Sequence, residues 1–202
     1  MRASQENPAL SSLGPAGYHV AVRVGFAYPL EEYVSLPPEW ITRYVSGGFL
    51  PDDPITRWAY GNEGVIRWSA LSEDDPRGIL SEAAAHGLRF GAIASWMGGD
   101  AGGQRSYGAF VRDDREYTDA ELAELMSTIQ RLHVDRTPPT NLTEAELQAL
   151  GMVKNGLLLK EIAALLEVSE GAVKQRLKNA RCKLKAKTGT HAATLAAAYG
   201  LI

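Results

Sequence analysis

Lysine is missing from the first 153 residues of this chain, and all 7 lysines lie between positions 154 and 187. Cysteine is nearly absent as well. Cys182 is the single cysteine of the sequence, so it cannot form an internal disulfide. The first 30 residues lack the basic-then-apolar pattern of a secretory signal. No apolar run approaches the ~18 residues that a membrane-crossing helix needs. These absences predict a protein of a reducing, cytoplasmic compartment.

The clusters of side chains that enzymes and metal sites need are not evident either. The 4 histidines show no metal-ligand spacing, and no nucleophile can be paired with a base. The glycine-rich segment GGDAGGQ has no Gly-Lys-Ser/Thr after it, so a hairpin turn is a better interpretation than a phosphate loop. We therefore predict no enzyme activity, no cofactor and no metal.

Charge is divided unevenly along the chain. Up to Arg136 the sequence has 12 arginines against 19 acidic residues, a net charge of −7, whereas the remainder has 9 basic and 5 acidic residues, a net charge of +4. Such asymmetry predicts an acidic domain joined to a module that binds a polyanion. On charge alone, a basic helix that is merely solvated remains an equal alternative.

Breaks in the pattern divide the chain into a tail, two domains and a linker. Residues 1–16 are small and polar, with two prolines and no periodicity, and are typical of a flexible tail. The segment VDRTPPTN ends a helical pattern with two prolines and predicts a linker at 135–141. The two domains are then 17–134 and 142–202.

The first domain mixes strand and helix patterns. Alternating runs predict strands at 18–28, 89–97 and 105–113, the last two as a hairpin. Helical spacing occurs at 38–45, 78–87 and 118–134. The predicted fold class is α+β: an N-terminal α-β-α sandwich, in which an antiparallel sheet is covered by helices, followed by a small all-α domain of four helices that contains a helix-turn-helix.

Two stripes of side chains run along the long helix that is predicted after Ser169. The residues Val173, Leu177, Ala180 and Leu184 step by 4, 3 and 4 and form an apolar stripe that should face the preceding helices. The basic stripe steps identically, one residue further along, and consists of Lys174, Lys178, Arg181 and Lys185. An apolar stripe beside a basic stripe is the pattern expected of a helix that packs against its domain on one side and contacts DNA on the adjacent side.

Position along this helix predicts the role of each polar side chain. Residues near the N-terminus of a recognition helix contact base edges, which are here Lys174, Gln175 and Lys178. Phosphate contacts are predicted for Arg176, Asn179, Arg181 and Lys183, together with Lys160 and Thr143 on other helices. Docking of the basic helix on an acidic protein instead of DNA remains an alternative.

The segments LTEAELQAL, KEIAALLEVSEGAVKQRLKNARCKL and AYGLI resemble the C-terminal DNA-binding domain of the LuxR family of bacterial transcription regulators, over roughly residues 140 to 202. The resemblance implies a helix-turn-helix that binds double-stranded DNA, without membrane attachment. A phosphoacceptor receiver domain, found in other regulators with this C-terminus, needs a lysine beside an acidic cluster. The first domain has no lysine.

The order and spacing of Trp40, Tyr44, Asp53-Pro54 and Trp68, followed by Gly87 and Gly91, resemble the autoinducer-binding domain of quorum-sensing LuxR proteins. Without the family, the Trp40 and Tyr44 pair is typical of a core, and Asp53 is typical of a helix cap. The resemblance implies an N-acyl-homoserine lactone as the ligand. By this resemblance, the Trp40 indole N–H donates to the ring carbonyl, the Tyr44 hydroxyl donates to the amide carbonyl, and Asp53 accepts from the amide N–H. Trp68 is expected to pack over the lactone. Further residues expected around the acyl tail are Leu36, Phe49, Ile55, Ile93 and Trp96.

The resulting prediction is a cytoplasmic transcription regulator that binds the autoinducer and, as a homodimer, a two-fold symmetric operator. The C-terminal segment THAATLAAAYGLI offers small apolar residues for a self-interface, or closes the core of its own domain. An orphan regulator, insensitive to acyl-homoserine lactones or responsive to another small molecule, remains the alternative. It is favoured by Leu36, which stands where the family often has tyrosine, and by the short segment before the first strand.

Overall fold

A computed structural model describes residues 7–25, 28–99 and 103–202. The chain divides into two compact units, one ending at Arg136 and the other starting at Thr137. This division falls inside the segment predicted as a linker. Each unit is described by itself below.

The first unit contains a sheet whose 5 described strands are β1 (Gly17–Val24), β2 (Pro29–Ser35), β3 (Gly64–Arg67), β4 (Phe90–Trp96) and β5 (Arg105–Arg112). Their order is β2-β1-β5-β4-β3, and all neighbours are antiparallel. The predicted hairpin of β4 and β5 is confirmed. The strand predicted at 18–28 ends at Val24, and its positions 26–27 lie outside the described residues, as do positions 100–102 of the glycine-rich loop.

Sequence patterns missed β2 and β3, which form the two edges of the sheet. The segment PLEEYVS of β2 contains a proline and two glutamates, and β3 has only 4 residues. Neither offers an alternating β-branched run, so their strand conformation depends on pairing with β1 and β4.

Helices cover both faces of this sheet. They are α1 (Pro8–Leu13), α2 (Pro38–Ser46), α3 (Pro54–Gly61), α4 (Ile79–Ala85) and α5 (Asp119–Asp135), with a 3₁₀ helix at Trp68–Asp74. On one face, Phe110 of β5 packs with Leu125 and Ile129 of α5. On the other, Val111 packs with Trp40 and Ile79 of α2 and α4. Neighbouring strand residues point to opposite faces, so the unit has two cores and is the α-β-α sandwich that was predicted.

The tail predicted at 1–16 must be corrected for its second half. Residues 8–13 form α1, which Asn7 caps by accepting a hydrogen bond from the Ala9 amide. Leu10 is buried against the sheet, and this contact holds the helix in place. A single anchoring leucine among polar residues gives no periodicity, which is why the pattern resembled a tail. Residues 1–6 lie outside the described residues.

The second unit consists of four helices, α6 (Glu144–Lys154), α7 (Leu159–Leu165), α8 (Glu170–Lys183) and α9 (Gly189–Ala198), as predicted. Ser169 caps α8 by accepting from the Ala172 amide at 3.2 Å. In the turn between α7 and α8, Glu167 adopts the left-handed backbone conformation with φ of 52°. This tight turn joins α7 to α8 as a helix-turn-helix.

The last helix, α9, packs inside its own unit. Ala192 and Ala196 are fully buried, and they share a core with Leu150 of α6 and Ala180 of α8. Small side chains allow this close approach. In the described part of the chain, no helix is long and apolar enough to cross a membrane.

Candidate functional site

A cavity of about 310 Å³ lies in the first unit, between the sheet and the helices α2, α3 and α4. It is lined by seven of the nine residues predicted to bind a ligand, namely Leu36, Trp40, Tyr44, Asp53, Ile55, Trp68 and Ile93. The volume is at the lower end of the range for small-molecule sites. Residues that are far apart in the sequence therefore meet around one space.

Trp40 and Tyr44 face this cavity from successive turns of α2. Their ring centroids are 5.7 Å apart in an edge-on arrangement. Trp40 is buried, and among the described residues its indole nitrogen donates to no protein acceptor. The indole N–H beside the cavity is therefore available to a ligand.

Asp53 holds three hydrogen bonds at the start of α3. Its carboxylate accepts from the Ile55 amide at 2.9 Å, from the Thr56 hydroxyl at 2.7 Å and from the Tyr44 hydroxyl at 2.7 Å. Burial, together with the Asp53 carboxylate, raises the pKa of Tyr44, so the phenol remains protonated and can donate. A carboxylate offers about four acceptor positions. One remains for a ligand donor.

Trp68 opens the 3₁₀ helix and closes one side of the cavity. It is 7% exposed, and in the part of the chain that the structure describes its buried indole nitrogen has no hydrogen-bond partner. Gly91 of β4 lies directly beneath it. A Cβ at that position would stand 2.0 Å from the Trp68 ring, so only glycine allows the indole to lie on the strand.

Phe49 and Trp96, both predicted to line the acyl tail, do not line the cavity. Phe49 packs behind Trp40 and is covered by the guanidinium groups of Arg43 and Arg77, at 4.9 and 5.0 Å from its ring centre. Trp96 packs into the core on the opposite face of the sheet. It lies three residues after Ile93, and an odd spacing along a strand reverses the face.

The cavity also has lining residues that the sequence patterns did not single out. They include His19, Glu32, Val34 and Tyr107 on the sheet, and the exposed Val45 and Leu50 near the end of α2. The alternation of β1 and β5 could have placed His19 and Tyr107 on one face if their register had been known. Glu32 and Val34 belong to β2, which the sequence did not predict.

In the second unit, α8 carries the two predicted stripes on adjacent sides. Val173 and Ala180 are fully buried, whereas Lys174 and Lys178 are exposed. The three cations Lys174, Lys178 and Arg181 border a shallow groove. An accessible basic surface of this kind is what contact with nucleic acid requires.

The other predicted DNA contacts differ in exposure and partners. Gln175 and Asn179 are exposed and joined by a hydrogen bond of 2.8 Å. Lys160 is exposed on α7, while the Thr143 hydroxyl accepts from the Glu146 amide as the cap of α6. Arg176 and Arg181 are half-buried on α8.

Lys183 departs from its predicted role as a phosphate contact. Its ammonium donates to both carboxylate oxygens of Glu146, at 2.8 and 2.9 Å, and to the Asn141 carbonyl at 2.8 Å. An ammonium has three N–H groups, and all three are engaged. The side chain therefore braces α8 against the start of α6.

Replacing Glu146 with glutamine should loosen this brace. Burial by itself would raise the pKa of Glu146, but hydrogen bonds from Lys183 and the Thr143 amide outweigh it and lower that pKa. The variant leaves the Lys183 ammonium without its anion, a cost of about 1–3 kcal/mol. Hydrogen exchange of α6 and α8 amides in the full chain should accelerate by roughly 5- to 150-fold at neutral pH, as this free energy implies.

The same brace should be sensitive to acid. A lowered pKa in the folded state means that the pair contributes stability above the ordinary carboxyl pKa of 4.5 and loses it as the pH falls through the folded-state pKa. The exchange difference between the wild type and E146Q should therefore shrink below about pH 4.5. The matched control is Glu144→Gln, at an exposed position of the same helix turn. Equal exchange in the two variants at neutral pH would contradict the bracing role.

No group of three or more potential metal ligands occurs within residues 7–25, 28–99 and 103–202. The described features thus comprise a mostly apolar cavity with a few polar groups in one unit, and an exposed basic helix in the other.

Known proteins resemble both units. The family model for the autoinducer binding domain matches residues 13–134, and that for bacterial regulatory proteins of the luxR family matches residues 140–196. The transcriptional activator protein VanR of Vibrio anguillarum is 30% identical over 181 residues, which are 82% of this chain and 75% of VanR. The regulatory protein SdiA of Escherichia coli is 29% identical over 199 residues, covering 92% of this chain and 83% of SdiA.

A crystal structure of Escherichia coli SdiA matches with a TM-score of 0.48 and 27% identity, covering 92% of this chain and 83% of that one. Because the two family models match most of both units, the chain belongs to the LuxR family of quorum-sensing transcriptional regulators, which are not enzymes. It combines an autoinducer-binding domain for a small-molecule ligand with a helix-turn-helix DNA-binding domain.

Proposed function

We propose that the ligand is an N-acyl-homoserine lactone, and that the protein acts in the cytoplasm as a homodimer on a two-fold symmetric operator. The observation that carries the ligand assignment is the Tyr44–Asp53 pair beside the Trp40 indole, at the wall of an otherwise mostly apolar cavity. Two donors and one acceptor at this position complement a head group with two carbonyls and one amide N–H.

Binding requires the Tyr44 hydroxyl to change its acceptor. In this structure it donates to Asp53. We propose that the ligand amide N–H donates to Asp53 and that Tyr44 donates to the amide carbonyl, while Trp40 donates to the ring carbonyl. Trp40, Tyr44 and Asp53 then all keep partners, which avoids a cost of about 1–3 kcal/mol for each group left bare.

The apolar part of the ligand is proposed to occupy the remaining wall. Trp68 would lie over the lactone ring, held flat by the space above Gly91. Leu36, Ile55 and Ile93 would contact the acyl chain, since all three line the same cavity.

DNA recognition is proposed to centre on the exposed side of α8. Lys174, Gln175 and Lys178 would contact base edges, since they lie in its first turns and are exposed. Phosphates would be contacted by Arg176, Asn179, Arg181, Lys160 and Thr143. A single helix reads few base pairs, so a dimer with two half-sites is needed for specificity. With the inner side of α9 used by its own core, a self-interface would use the outer side.

The test is a thermal-shift series on the full chain with butanoyl-, octanoyl- and dodecanoyl-homoserine lactone. A true ligand should raise the apparent stability with concentration, by about 2.7 kcal/mol at 100 times its Kd. Analytical ultracentrifugation should then show a dimer in solution. Binding measurements with an operator selected from random duplexes should show that the dimer occupies both half-sites. No shift for any lactone would favour the second candidate, a regulator that responds to another small molecule or to none, which the apolar Leu36 in the cavity wall supports.

A further inference from the structure

The cavity has a second polar region, formed by the two strands at one edge of the sheet. His19 of β1 and Glu32 of β2 both line it, and the His19 Nε2 lies 2.9 Å from the Glu32 Oε1. Tyr107 of β5 stands next to them, with its ring centre 5.8 Å from that of His19 in an edge-on contact. None of these side chains belongs to the proposed head-group site.

Strand register places this region at a distance from Trp68. Gly91, beneath Trp68, pairs with Val111, whereas Tyr107 lies four residues earlier on the same strand. At about 3.3 Å per residue, the two positions are about 13 Å apart along β5. Glu32 lies further out again, because it pairs with Ala21, which in turn pairs with Tyr107. A ligand whose ring lies under Trp68 would therefore reach this region with the far end of its tail.

The chemistry of the region suits a hydroxyl group better than a methyl group. The hydrogen bond from His19 lowers the pKa of Glu32, so its carboxylate is an ionised acceptor at neutral pH. Burial, with the neighbouring Tyr60, raises the pKa of Tyr107, so that phenol remains a donor. An alkyl end would displace water from these groups without replacing its hydrogen bonds, and that loss weakens binding.

On the basis of the function proposed above, we infer that the natural ligand carries a hydroxyl group at the far end of its acyl tail. The hydroxyl donates to the Glu32 carboxylate, and the end of the tail packs against the rings of His19 and Tyr107. A plain alkanoyl tail is the poorer ligand. The His19–Glu32 pair thus selects the tail, while Trp40, Tyr44 and Asp53 hold the head.

Exposure makes this region accessible to mutation. The side chains of His19 and Glu32 are 31% and 51% exposed, and a pair at that exposure contributes little to folding stability. Glu31 provides a matched control. It is the preceding residue on β2, pairs in register with Val22, and so points to the other face of the sheet.

The experiment measures by calorimetry the Kd of octanoyl-homoserine lactone and of its 8-hydroxyoctanoyl analogue, for the wild type, Glu32→Leu and Glu31→Leu. The wild type and E31L should bind the hydroxylated probe about tenfold more tightly, which is the order of magnitude expected for one hydrogen bond to a partly exposed carboxylate. E32L should lose this preference and bind the octanoyl probe at least as well. Glu32→Ala serves as a second variant, with the same expectation, should E32L fold poorly by circular dichroism.

Two other outcomes would overturn the inference in different ways. Equal affinity of the wild type for both probes would refute the hydroxylated tail while leaving lactone binding intact. Failure of the wild type to bind either probe, with circular dichroism showing a folded protein and with no thermal shift for butanoyl- or dodecanoyl-homoserine lactone, would refute the proposed ligand class and the tail together.

Discussion

Asparagine in place of Asp53 should abolish the response to lactone while the domain remains folded. The substitution keeps the shape of the side chain and an oxygen that can accept from the Ile55 amide, and asparagine is as good a helix cap as aspartate. The new amide group, however, turns a donor toward Tyr44, Thr56 and the ligand N–H. Loss of a charge-assisted hydrogen bond, about 1.5–3 kcal/mol, combined with facing donors, predicts a fall in affinity of about 100-fold or more.

The thermal-shift series described above measures this effect, and circular dichroism verifies the fold. Asp52→Asn is the matched control, because Asp52 is the adjacent residue but pairs with Arg77 at the partly exposed surface. An exposed ion pair contributes at most about 1 kcal/mol, so D52N should shift with lactone as the wild type does. A normal lactone shift in D53N would exclude Asp53 from the head-group site.

Removal of both Lys174 and Lys178 should have a comparably large effect on DNA. Each base contact contributes about 1–3 kcal/mol of discrimination, so the double alanine variant should bind a selected operator roughly 100-fold more weakly or worse. Its affinity for random duplexes should fall much less. Because both side chains are proposed to contact base edges and not phosphates, the dependence of log affinity on log salt should change little.

The control removes two cations from positions outside the basic stripe, with Lys154→Ala and Lys187→Ala. This variant should keep its preference for the operator over random DNA. If both double variants lose affinity equally, α8 supplies only charge and does not read sequence. If neither weakens binding to DNA, the basic stripe serves another partner, such as an acidic protein surface.

The features predicted well from the sequence are those in which the signal is local. The two stripes of α8 repeat every three or four residues, and the structure buries Val173 and Ala180 while exposing Lys174 and Lys178. Backbone geometry fixes these spacings, so they can be read without knowing any distant contact.

Features that involve partners far along the chain could not be predicted in this way. Lys183 belongs to the basic segment, yet its ammonium pairs with the carboxylate of Glu146, 37 residues earlier. Trp96 was predicted to contact the acyl tail of the ligand, but its position on β4 places it on the opposite face of the sheet from the cavity. The role of Leu10 as an anchor likewise requires the sheet on which it packs.

The amino-acid sequence by itself determined the two-part organisation, the helix-turn-helix and the set of aromatic and acidic residues that line the cavity. The tertiary structure decided which residues share the cavity, and it alone brought His19, Glu32 and Tyr107 together on its wall. The physical reason is that helix periodicity is encoded within a few residues, whereas strand pairing and register depend on contacts between distant segments. Pairing and register in turn decide which residues share a face of the sheet.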